Sequence, residues 1–154
     1  MEDFKVENFR KEYPGTPFPA YRVLSNAEVE AVANTLWTAL AVDIFTIYAY
    51  ELADKVGAVR VEGANAGRDL NFDLYGVLRR LGISCDDTIQ ICWCRILGRQ
   101  IGQMMYSDLC RYWDDLWYPN DDIILFDGSC SWVLGVDADG YMSFFIDIKK
   151  KSGT

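Results

Sequence analysis

Residues 106 to 147 carry Asp108, Asp114, Asp115, Asp121, Asp122, Asp127, Asp137, Asp139 and Asp147 against Arg111 as their only base. Carboxylates grouped in this way can hold Mg²⁺, or act as an acid and base pair in glycoside cleavage, when the fold brings them into one pocket. Left at the surface, they create a field that attracts a basic partner and speeds encounter. Outside the segment acids and bases cancel, so the whole formal charge of −8 resides here. The same segment holds Tyr106, Tyr112, Trp113, Trp117, Tyr118 and Trp132, which are side chains of the kind that anchor interfaces. Acids and aromatics mix most densely from Trp113 to Asp122, and the spacing alone does not bring the acids to one point. The expected partner-binding residues are therefore Trp113, Asp114, Asp115, Trp117, Tyr118, Asp121 and Asp122, with no catalytic, metal or cofactor residue assigned.

Other chemistries find little support. The chain has no histidine, which removes the commonest general base, the usual partner of a serine or cysteine nucleophile and the commonest metal ligand. Zinc would then require four thiolates, and Cys85, Cys92, Cys94, Cys110 and Cys130 lack the regular two-residue knuckle spacing. They read instead as small buried residues in a reducing compartment. No phosphate-cradling loop or dinucleotide fingerprint occurs. Asp137-Ala138-Asp139-Gly140 resembles part of a calcium loop, but with Gly140 at the invariant glycine the flanking ligand positions fall on Gly135 and Ile146. A hairpin turn accounts for it. Direct nucleic-acid binding is opposed by the net charge and by the lack of a basic patch beyond Lys149 to Lys151.

The elements that must position these residues follow from periodicity and punctuation. Residues 2 to 12 predict a short outer helix stopped by Pro14-Gly15, and Thr16 to Leu24 an extended connector. Ser25-Asn26-Ala27-Glu28 forms a capping-box pattern, after which apolar residues recur at three- and four-residue steps to Val56, with Gly57 suited to the left-handed cap. One helix is predicted across that span. Val59 to Glu62 reads as a short strand and 63 to 68 as a loop. Leu70, Leu74, Leu78 and Leu81 predict a helix before Gly82. Ser84 to Asp87 offers another cap, and a helical reading from Ile89 to Leu109, with Gly98 and Gly102 facing a neighbouring backbone, competes with strand pairing of Ile89, Ile91 and Trp93. Three β-rich runs at 122–126, 131–136 and 141–146, separated by Asp127-Gly128 and Asp139-Gly140, predict an antiparallel meander. The expected fold is α+β, with N-terminal helices packed on a C-terminal three-strand meander.

With 154 residues, of which 51% are hydrophobic, one domain spanning 1 to 154 is expected, with 149 to 154 as a solvated tail. The first residues lack the basic flank and apolar run of a secretory signal, and Leu36 to Ala53 is broken by Asp43 and Glu51, so it reads as buried helix rather than a membrane span. A cytoplasmic protein, monomeric when free, is the expectation.

The stretch Asp115-Leu116-Trp117-Tyr118-Pro119-Asn120-Asp121-Asp122-Ile123-Ile124-Leu125-Phe126, followed by Trp132 and Asp139-Gly140-Tyr141, resembles the C-terminal part of small bacterial immunity proteins encoded beside polymorphic toxins. Where such sequences carry a histidine-acid-glycine turn, this chain has Ala138-Asp139-Gly140. The resemblance implies a cytosolic protein that binds a toxin and blocks it without performing chemistry. Two alternatives stay open beside it: a phage-type acidic inhibitor of a nucleic-acid enzyme, and a carboxylate-dependent enzyme. The first two require a basic protein partner, and the third a pocket of converging acids.

Overall fold

A computed structural model describes residues 1–83, 87–94 and 97–146. The runs at the C-terminal end form the expected meander: β5 (Ile123–Asp127), β6 (Trp132–Val136) and β7 (Tyr141–Ile146) pair antiparallel in sequence order. The Asp137 carboxylate makes the second turn by accepting from the Asp139 and Tyr141 N–H groups, both at 3.0 Å, and Gly140 takes φ 87°. The meander is only part of the sheet. β1 (Tyr21–Val23), β2 (Val59–Asn65), β3 (Thr88–Trp93) and β4 (Ile101–Met105) extend it to seven antiparallel strands in the order β1-β4-β3-β5-β6-β7-β2.

Helices cover both faces, so the α+β class holds while the arrangement of N-terminal helices on one face does not. On one side, α2 (Asn26–Leu40) and α3 (Glu51–Val56) pack with Cys92, Ile124, Phe126 and Val133. On the other, α4 (Leu74–Arg80), α5 (Tyr106–Arg111) and α6 (Trp113–Leu116) pack with Ile91, Trp93, Leu125 and Leu134. Alternate residues of each central strand thus enter different cores, which explains why β5 and β6 are apolar runs rather than alternating ones. The first helix, α1 (Asp3–Glu12), lies against α6 and buries Phe9 among the rings of Tyr13, Phe18 and Tyr112.

The capping box is present: the Ser25 hydroxyl accepts from Glu28 N–H at 3.2 Å and the Glu28 carboxylate accepts from Ser25 N–H at 2.7 Å. The helix it starts ends at Leu40, with Ala41 at φ 53°, instead of running to Val56. Beyond it Asp43 competes with helical bonding, its carboxylate accepting from Phe45 N–H at 3.0 Å. Residues 42 to 50 then fold as turns that bury Val42, Ile44, Phe45, Ile47 and Ala49. These turns press on β6 so closely that a Cβ at Gly135 would stand 2.7 Å from Leu52 Cδ1 and 3.0 Å from the Ala49 oxygen.

The predicted helix over 70–81 begins at Leu74, and Leu70 is fully exposed. Residues 89 to 109 form two strands and the short α5 rather than one helix, with the two-residue alternation of Ile89, Ile91 and Trp93 prevailing. Gly98, at φ 62°, lies between the strands, and Gly102 sits within β4 beneath the Tyr21 ring, where a Cβ would overlap the phenol. The connector over 16–24 contributes β1 as an edge strand. The cap read at Ser84 to Asp87 falls largely on 84–86, and the tail on 149–154, both outside the described residues.

Candidate partner-binding surface

The segment from Trp113 to Asp122 does not form an exposed connection. One turn of helix, α6, places Trp113 and Leu116 in the core, and Trp117 leaves it in extended conformation. The Trp113 and Trp117 rings stack with centroids 6.0 Å apart, and the Trp117 indole N–H donates to the Asp121 backbone oxygen at 3.1 Å. Pro119-Asn120 makes the following turn, with Asn120 at φ 79° and Asp121 N–H donating to the Tyr118 oxygen at 2.9 Å.

Asp115, Asp121 and Asp122 are buried and used internally. Asp115 accepts from the Tyr13 hydroxyl at 3.0 Å. Burial, reinforced by the nearby Glu12 carboxyl, pushes the Asp115 pKa up to about 6, and the hydrogen bond to Asp115 raises Tyr13 to about 12. Asp121 accepts from Tyr118 N–H at 2.8 Å and from the ammonium of Lys5, which is fully buried. That ammonium also lies 4.0 Å from the Trp93 ring centroid and 5.3 Å from that of Tyr118, with the Glu2 carboxylate at 3.3 Å. Asp122 turns to the opposite face, where it accepts from Ala49 N–H at 2.5 Å. Burial raises its pKa to about 6, opposed by the Ala49 N–H and the Cys94 thiol.

Of the seven residues singled out by composition, Asp114 is exposed and Tyr118 half-buried, while Trp113, Asp115, Trp117, Asp121 and Asp122 belong to the interior. The three buried acids fasten separate elements, two holding α1 and one holding the turn before α3. Among the described residues no group of three or more acids or cysteines could hold a metal ion, and no helix is long and apolar enough to cross a membrane. Cys92, Cys94 and Cys130 are buried and Cys110 is half-buried.

Exposed aromatics lie elsewhere. Trp37, on α2, is 59% exposed, at the lip of a recess of 170 Å³ lined by Glu30, Asn34, Asp43, Ile44 and Arg99 among others. Arg99 is neutralised there by Glu30 at 2.6 Å and lies over the Phe45 ring at 4.6 Å. Further along, Tyr48 and Tyr50 stack at 5.7 Å with both rings partly exposed. The signal was present in the sequence: residues 23 to 54 contain Glu28, Glu30, Asp43, Glu51 and Asp54 with no lysine or arginine, and Trp37 stands off the apolar stripe of α2. No family model, curated protein or solved structure matches the chain.

Proposed function

We propose that the protein is a non-catalytic, cytoplasmic binding protein, monomeric when free, that neutralises a basic protein partner, as an immunity protein occludes its cognate bacterial toxin. The observation that carries this reading is Trp37, a large aromatic left 59% exposed beside a recess with Glu30 and Asp43 in its lining. Burying an indole in a partner supplies anchor energy, and the excess of acids over bases across residues 23 to 54 steers a cationic surface towards it. The acids that could have formed a catalytic pair instead hold the fold together, which supports binding over carboxylate-dependent catalysis. Asp114 is a further exposed acid that could add to this field.

The test is protection. The chain is co-expressed with the product of each neighbouring gene, and a toxic product whose effect it abolishes is purified as a complex. Trp37→Ala should then speed dissociation at least tenfold, and Glu30→Gln with Asp43→Asn should slow association and flatten its salt dependence. Folded variants that protect and bind like wild type would remove this surface from consideration, and failure to protect against any neighbouring product would overturn the immunity reading.

A further inference from the structure

The edge strand β2 keeps register with β7 at Val59↔Phe144 and Arg60↔Ser143, then departs from it until Asn65↔Tyr141. Gly63, at φ 69°, lets the extra residues turn outwards. The bulge leaves a cleft of 380 Å³ whose lining includes Arg60, Glu62, Asn65, Arg68, Asp69 and Tyr141.

The wall of the cleft is firmly built. The Asn65 side-chain oxygen accepts from Gly67 N–H at 2.8 Å and Arg68 N–H at 2.9 Å, while Asn65 N–H donates to the Asp69 carboxylate at 2.8 Å. Ala66 N–H donates to the Gly140 oxygen at 2.9 Å, and the loop lies so tightly on the hairpin that a Cβ at Gly140 would overlap Gly67 N. The backbone that presents Arg68 is thereby fixed.

Two guanidinium groups lie near one ring, with Arg60 Cζ at 4.7 Å and Arg68 Cζ at 5.5 Å from the Tyr141 centroid. Among the described residues neither has a carboxylate within ion-pair distance, in contrast to Arg22 and Arg99, which are paired with Glu28 and Glu30. Because the Asn65 oxygen is committed as an acceptor, its amide is oriented, and the buried Nδ2 has no acceptor among the described residues. In a chain of net charge −8, two arginines with no carboxylate partner among the described residues line one cleft.

We propose that the cleft is a receptor for one oxyanion, the phosphate or carboxylate group of a small ligand, with Arg60 and Arg68 as charged donors and Tyr141 as the platform that holds their planes. A stacked guanidinium keeps its N–H edge free, and that edge matches a carboxylate or phosphate fork. Glu62 and Asp69 also line the cleft, which leaves it without the excess of positive charge that a polyanionic backbone requires.

The experiment is a titration of ¹⁵N-labelled full-length protein with inorganic phosphate and, separately, sodium acetate, with sodium chloride at matched ionic strength as reference. The expected result is saturable shifts at Arg60, Asn65, Arg68 and Tyr141 with at least one of the two oxyanions, weakened tenfold or more in Arg60→Gln and in Arg68→Gln. A response to phosphate alone assigns a phosphate-type ligand, and a response to acetate a carboxylate-type one. Both arginines are exposed, so the variants should fold, and circular dichroism checks that they do. Shifts that merely follow chloride, or that persist unchanged in both folded variants, would overturn the proposal. The site shares no residue with the Trp37 recess, so either can fail without the other.

Discussion

The Lys5 ammonium and the Asp121 carboxylate, 116 residues apart in the chain, meet as a buried ion pair beneath the Trp93 ring. Removing one member of such a pair leaves the other desolvated without compensation, which costs about 3–5 kcal/mol. Lys5→Ala and Asp121→Ala should each lower stability by about that amount in urea denaturation. Lys5→Met with Asp121→Leu should lose clearly less than the two single losses added together, because neither charge is stranded. Additive losses would mean that the pair is not coupled.

Gly102 and Tyr21 give a steric test. A Cβ at position 102 would overlap the phenol, whose hydroxyl accepts from the Trp93 indole N–H at 3.2 Å. Gly102→Ala should displace the ring and cost about 1–3 kcal/mol, as overpacking does. The double variant Gly102→Ala with Tyr21→Ala should recover part of that loss in thermal unfolding.

Burial separates the tryptophans by consequence. Trp113→Ala, in the core, should cost about 3–5 kcal/mol. Trp37→Ala, at an exposed site, should change stability by no more than about 0.5 kcal/mol. Urea midpoints of the two variants decide the matter directly.

Asp115 and Asp122 both have pKa values raised to about 6, chiefly by burial. Their unfolded value is about 4, so between about pH 6 and 4 the folded state holds protons that the unfolded state has released. Stability contributed by these groups therefore increases as pH falls through that window and decreases as it rises. Glu28 acts in the opposite sense: its bond to Arg22 holds it near 2, so its contribution is present above its unfolded pKa and is lost as pH falls below that value towards about 2. Asp122→Asn, which keeps an oxygen able to accept from Ala49 N–H, should flatten the dependence of urea stability on pH between about 6 and 4. An unchanged slope would contradict the assignment.

Local chemistry was legible where one residue decides the geometry. The capping box at Ser25, the left-handed glycines at 57 and 82 and the Asp-Gly hairpins each satisfy backbone groups within a few residues. The failures come from competition between periods. Ile89 and Trp93 fit a helical step of four, yet with Ile91 they also alternate, and only pairing with both β4 and β5 favours the strand. The burial of five of the seven candidate residues was illegible for a related reason. Composition identifies aspartates and tryptophans but not which of them another element covers, and the lysine that absorbs Asp121 stands at the far end of the chain.

The rims of the sheet are both poor templates. β1 offers only residues 21 to 23, shortly after Pro17 and Pro19, and β2 is broken by its bulge and carries the charged Arg60 and Glu62. A second copy seeking to extend the ladder would find at either side no more than a few consecutive free backbone groups in line. The bulge that opens the cleft thus also guards the chain against strand-by-strand polymerisation, so straightening it by deleting residues near Gly63 would turn a ligand-sized opening into an adhesive border.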